Sequence, residues 1–186
     1  MKFISFNHNN TEKFGIIENN VITNLTGKIS DAKSLKELIK IKKINDAKEY
    51  AKNNPGNISP NEIHYSPVIP NPGKIICVGL NYSEHVKETN RTIEENPVIF
   101  HRFPESQTSH LQPIQRPTVS ESLDFEGEMA VIMDEGGKHI KTEDALKHIV
   151  GFSCYNESTV REWQRHTRQF GICLLYTSDA ADEGLG

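Results

Sequence analysis

Glu126 and Glu128 stand two residues apart in the run DFEGEMAVIMD, residues 124–134. In an extended strand successive side chains alternate, so both carboxylates point to one side, together with Ala130 and Ile132. Two like charges about 7 Å apart beside apolar neighbours repel unless a positive group lies between them. A hard divalent cation such as Mg²⁺, Mn²⁺ or Ca²⁺ takes oxygen ligands, and two carboxylates from one strand face make half of such a site. A solvated strand face explains the same pair without a metal. Glu157, in YNESTVRE, sits where a strand expectation gives way to a helix expectation and could supply a third carboxylate. Charge compensation at a helix N-terminus is its other reading.

A second constellation is His85-x-x-Glu88. Residues three apart share a helix face, so the carboxylate can orient the imidazole, and the pair can activate a water as general base. An ordinary surface His–Glu pair has the same spacing.

The elements that would position these groups follow from periodicity. KFISF alternates, HNNTEK turns, and FGIIENNVITNL reads as a hairpin with Asn19-Asn20 at its tip. Ser34-x-x-Glu37 is a capping-box pattern ahead of Leu35, Leu38 and Ile39, and a second helix is expected over 46–52. The proline-rich run NNPGNISPNEIHYSPVIPNPG reads as a linker, with a boundary near 65–72. KIICVGL reads as a buried strand, followed by a helix with Asn81 as N-cap. NPVIFHRF and DFEGEMAVIMD follow as strands. TEDALKHIVG is expected to be a helix capped by Thr142 and ended at Gly151. FSCYN reads as a strand, and STVREWQRHTRQF as a helix with Thr159-x-x-Glu162 as a second capping box.

Composition narrows the class. Of 186 residues, 35% are hydrophobic and 25% charged, which fits a globular chain. The net charge of −4 leaves no basic footprint for nucleic acid. No run approaches the roughly 20 apolar residues of a membrane span, and no signal peptide is expected. Cys77, Cys154 and Cys173 have no metal-type spacing, which suits a reducing, cytoplasmic setting.

The blocks KIICVGLNYSEHVKE, ENPVIFHRF, DFEGEMAVIM and DALKHIVGFSCYNESTVREWQ resemble, in order and spacing, the fumarylacetoacetate hydrolase family over residues 74–170. The opening MKFISF…VITNL is similar to the small N-terminal domain of its bacterial members. The resemblance implies an α+β, β-rich fold of curled mixed sheet and a homodimeric full-length parent. It implies a small N-terminal domain and linker over 1–68 and a partial catalytic domain over 69–172. It also implies a Mg²⁺ or Mn²⁺ ion (Ca²⁺ as a third choice) on Glu126, Glu128 and Glu157, with glutamate where the family more often has aspartate. His85 and Glu88 would be the water-activating pair, and Gln164 and Arg102 substrate contacts. The implied chemistry is metal-dependent, on 2-oxo or 1,3-dioxo acids: C–C bond hydrolysis, decarboxylation or isomerisation through a stabilised enolate. A non-catalytic metal- or ligand-binding relative is the alternative.

The family pattern would continue after WQRHTRQF with a lysine-bearing stretch. Instead, Cys173 to Glu183 reads CLLYTSDAADE, which resembles the translation of a transposase library adapter. The expectation is therefore that 173–186 is a non-native tail and that the chain is a truncated, inactive and aggregation-prone fragment.

Overall fold

The computed structural model describes residues 1–82 and 96–166. The chain divides into two units. The first comprises Met1–Asn71, Thr108–Gln112 and Gly127–Glu157; the second comprises Pro72–Gln107, Pro113–Glu126 and Ser158 onward, over their described residues.

In the first unit, β1 (Lys2–His8), β2 (Thr11–Glu18), β3 (Val21–Asn24) and β4 (His64–Tyr65) form one antiparallel sheet in the order β3-β2-β1-β4. Asn9-Asn10 and Asn19-Asn20 all have positive φ, the left-handed pair that a two-residue hairpin turn demands and that asparagine tolerates. Alternation then divides the strand side chains between two faces. Phe3, Phe14 and Ile16 meet Leu35, Leu38 and Ile39 of α1 (Leu35–Lys40) and Ala47 and Ala51 of α2 (Ile44–Asn53). Ile4, Phe6, Ile17 and Ile22 meet Ile58, Ile63 and Tyr65 on the other face. Ser34 caps α1 as its spacing predicts, accepting from the Glu37 N–H. The return half of the box differs, because the Glu37 carboxylate accepts from the Lys33 N–H. A full box forms where none was read, at Ser59 and Glu62. The proline-rich stretch therefore carries structure of its own, including β4 on the sheet.

Also in this unit, β8 (Gly127–Met133) pairs antiparallel with β9 (Ile149–Asn156). Ile132 and Val150 pack on the core of the sheet and helices and so tether this ribbon. The register shifts between Ile132 and Met133, and the Asp134 N–H to His148 carbonyl bond follows the irregularity. Residues 142–148 form 3₁₀ turns rather than the expected α-helix: Thr142 is not the cap, and Gly151 lies inside β9.

In the second unit, β5 (Ile75–Gly79) pairs with β6 (Val98–Arg102). The strand expected to be buried is half-exposed: Ile76 and Val78 face outward, with Ile99 opposite Val78. β7 (Leu123–Asp124) pairs with β10 (Thr159–Val160). The helix expected from Thr159 is absent over the described residues. Thr159 is spent in this ladder, and only a 3₁₀ turn, Trp163–Arg165, follows. The Glu162 N–H is capped by Ser122 Oγ instead. The chain is α+β and strand-rich, with every pairing among the described residues antiparallel. Among the described residues, no helix is long and apolar enough to cross a membrane.

Candidate metal centre

The strand pairings β7–β10 and β8–β9 share one register. Asp124 lies opposite Thr159, and Gly127 lies opposite Asn156. Glu126 and Glu157 stand just outside these pairings. Residues opposite one another in an antiparallel pair project to the same side, as do residues two apart. Glu126 immediately precedes β8, Glu128 lies within it, and Glu157 immediately follows β9. One carboxylate oxygen from each lies within 4.8 Å of the others. Glu157 is 8% exposed, and Glu126 and Glu128 are half-buried.

Three ionised carboxylates at that spacing repel by roughly 3 kcal/mol per pair at an effective dielectric of about 20. Part of the compensation comes from a residue not singled out in the sequence. Arg161 Nη2 donates to Glu126 Oε1, and Arg161 Nε donates to Asp124 Oδ2 at 2.9 Å. Its Nη1 reaches Gln164 Oε1 at 3.4 Å. Asp124 is held below the ordinary aspartate range, chiefly by that hydrogen bond. Burial alone would lower the Arg161 pKa; the bonds to Asp124 and Glu126 outweigh it, and the net direction is up. One guanidinium shared between two carboxylates leaves the cluster with excess negative charge.

The donor set is all oxygen and all anionic, which fits Mg²⁺, Mn²⁺ or Ca²⁺ and not a soft metal. Cys154, opposite Met129, belongs to the other parity of the ribbon and is exposed. A carboxylate has two oxygens and about four lone-pair sites, so Arg161 on one oxygen is compatible with ligation through another.

The remaining expected residues are placed as follows. Gln164 is half-buried beside Arg161. Arg102 is 5% exposed; its guanidinium donates to the Ser158 carbonyl at 3.2 Å and to Ser106 Oγ at 3.4 Å. It thus braces the backbone immediately after Glu157. His85 and Glu88 lie outside the described residues. Asp124 extends the two-residue spacing of Glu126 and Glu128, so its position was signalled by the same alternation. Arg161 meets its carboxylate partners, and Ser122 the Glu162 N–H, across the ladder at separations of 35 to 40 residues, where spacing carries no signal.

The chain is a β-rich α+β domain that brings three carboxylates together. Residues 74–181 match the family described as fumarylacetoacetate (FAA) hydrolase C-terminal, and the chain belongs to that family. It is 41% identical over 96 residues to the mitochondrial oxaloacetate tautomerase fahd2 of Xenopus laevis, covering 52% of this chain and 30% of that protein. The human mitochondrial oxaloacetate tautomerase FAHD2A is 36% identical over 103 residues, covering 55% of this chain and 33% of that protein. The chain thus spans about a third of the length of these curated relatives. Among solved structures, the fumarylacetoacetate hydrolase of psychrophilic Exiguobacterium antarcticum superposes with a TM-score of 0.77 at 27% identity, covering 94% of this chain and 61% of that one. A maleylpyruvate hydrolase from Sphingobium sp. SYK-6, solved with manganese(II) and pyruvate, shares the fold at TM-score 0.73 and 18% identity, covering 98% and 68%. A 5-carboxymethyl-2-hydroxymuconate delta-isomerase from Mycobacterium smegmatis does so at TM-score 0.65 and 20% identity, covering 94% and 61%.

Proposed function

We propose that this chain carries the cation-holding part of a metal-dependent enzyme acting on 2-oxo or 1,3-dioxo acids. The observation that carries the reading is the convergence of Glu126, Glu128 and Glu157 oxygens within 4.8 Å of one another. Support for the substrate class comes from the relatives, which include oxaloacetate tautomerases and a hydrolase solved with manganese and pyruvate.

Glu126, Glu128 and Glu157 would hold Mg²⁺ or Mn²⁺. A bound divalent cation supplies Lewis-acid stabilisation of the negative charge that grows on an oxo acid's oxygen. The chain's own residues do the rest. Arg161 holds Glu126 and Asp124 in place and orients Gln164. Arg102 fixes the backbone carbonyl that follows Glu157. His85 and Glu88, outside the described residues, are the proposed general-base pair. The enzyme works as a homodimer in a reducing compartment. A second reading, a non-catalytic binding relative, keeps the cation site and loses turnover.

Calorimetric titration of MnCl₂ into the full chain, wild type against Glu128→Gln and Glu157→Gln, tests the site. Each variant is expected to lose at least about tenfold in affinity, equivalent to about 1.4 kcal/mol. Mn²⁺ binding unchanged in both would overturn the assignment. Oxaloacetate keto–enol interconversion, followed by absorbance, then separates the two readings: binding without turnover selects the second.

A further inference from the structure

One buried side-chain polar atom among the described residues makes no hydrogen bond, Oγ1 of Thr159. Thr159 is 2% exposed. A hydroxyl buried without a partner is destabilising, and folded proteins keep such a group mainly where a ligand, ion or water completes it. The sequence offers Thr159 a structural task, capping with Glu162, and the fold does not use it: the Glu162 N–H goes to Ser122 Oγ.

Its place in the ladder says what it could meet. Thr159 lies opposite Asp124, so the two side chains leave the ribbon on the same side. Asp124 and Glu126 both accept from Arg161, which links the partner of Thr159 to the carboxylate cluster through Glu126. Glu157 stands two residues before Thr159 in the chain. The carboxylates here are acceptors, and the arginine is already committed to Asp124, Glu126 and Gln164. The Thr159 hydroxyl adds a neutral donor at a position set by its pairing with Asp124. Threonine is stiff at χ1, so the direction of that donor is set by the backbone and the methyl group.

We infer that Thr159 is a specificity-determining contact whose hydroxyl donates to an oxygen of a small oxo-acid ligand held at the Glu126–Glu128–Glu157 cluster. The inference rests on the cation-site reading above. The hydroxyl is a contact to the ligand rather than a ligand to the cation, because carboxylates outcompete a neutral hydroxyl for a hard divalent ion.

Mn²⁺ and oxalate, a compact two-carboxylate oxygen donor, serve as probes on the full chain. Wild type, Thr159→Val and Thr159→Ser are titrated with MnCl₂, then with oxalate after Mn²⁺ loading, and melted without either. Valine keeps the shape and removes the donor. Thr159→Val is expected to keep Mn²⁺ affinity within about twofold, to melt at or above the wild-type temperature, and to lose about tenfold or more in oxalate affinity. Thr159→Ser is expected to retain oxalate affinity within about threefold. Oxalate affinity unchanged in Thr159→Val would show that the hydroxyl meets water only and would overturn the inference. So would a fall in melting temperature with affinities unchanged, which marks a structural hydroxyl, or a parallel loss of Mn²⁺ affinity, which marks a cation ligand. Wild-type protein that takes Mn²⁺ and refuses oxalate sinks this inference alone. Wild-type protein that takes no Mn²⁺ sinks the cation-site reading and this inference with it. If Thr159→Val does not fold, Thr159→Ser decides: a change in melting temperature with oxalate affinity unchanged counts against the inference.

Discussion

Arg161 places a fixed positive charge on Glu126 and Asp124 before any cation arrives. Its guanidinium offsets part of the carboxylate repulsion and competes with an incoming divalent ion for the same negative potential. Arg161→Gln is expected to lower the melting temperature of the protein without metal. The same change should tighten Mn²⁺ by about threefold to tenfold, because a unit charge beside the site is gone. Weaker Mn²⁺ binding would instead mean that Arg161 orients Glu126 for ligation. At this scale the sequence was informative about groups on one strand and silent about groups across the ladder. Glu126 and Glu128 are two apart, and period-two alternation alone puts them together. The third carboxylate, Glu157, comes from a distant segment of the chain, and its membership could be suspected from chemistry without being derived from spacing.

Local signals located the elements of the first unit well, and for identifiable reasons. Asparagine pairs at two hairpin tips and a serine ahead of an apolar stripe are short-range instructions that the sheet and helix core then reinforce. Ser34→Ala is expected to cost about 1 kcal/mol, and Leu38→Ala, fully buried among the helices and the sheet, about 2–5 kcal/mol, both read from denaturant midpoints. Gly56 is required by close approach rather than by φ: a Cβ there would lie 2.0 Å from the Ile22 carbonyl oxygen. The Thr159–Glu162 pattern misled because strand pairing with Asp124 claimed the threonine first. Tertiary pairing outweighs a local capping preference of about a kilocalorie.

An ion pair between Lys42, just after α1, and Glu135, just after β8, shows how pH reaches the element scale. The hydrogen bond from Lys42 lowers the Glu135 pKa, and Glu135 raises that of Lys42. The contribution of Glu135 is therefore present at neutral pH and lost as pH falls through its folded value, below the ordinary glutamate value of about 4.3. That of Lys42 is lost only as pH rises above its ordinary value of about 10.4. Carboxyl NMR titration is expected to find Glu135 below the ordinary value and to move it back up in Lys42→Ala. Both groups are exposed, so the change in overall stability should be slight.

For the whole molecule, the balance of faces matters more than composition. Met129, Val131, Met133 and Phe152 form an exposed apolar face on the β8–β9 ribbon, and Ile76, Val78 and Ile99 one on β5–β6. Contiguous apolar strand surface is an association site unless covered, and a net charge of −4 opposes association only weakly. Light scattering is expected to show association that grows with concentration and falls in Val131→Lys/Phe152→Lys. No signal in the sequence distinguished these faces from buried ones. KIICVGL reads as a buried strand because hydrophobicity registers what a strand could bury, and says nothing about whether a partner is there.

The register shift between Ile132 and Met133 has a consequence for how this domain can change over time. It lies between the carboxylates and the turn that joins β8 to β9. An insertion or deletion in residues 135–148 can be taken up at that irregularity, leaving the pairing of Gly127 with Asn156 and Glu128 with Tyr155 in place. Without such a buffer, a slip of one residue would turn one strand's carboxylates away from the other's. The turn is thereby open to drift, to new lengths and to new contacts, while the chemistry at the far end of the ribbon is inherited unaltered.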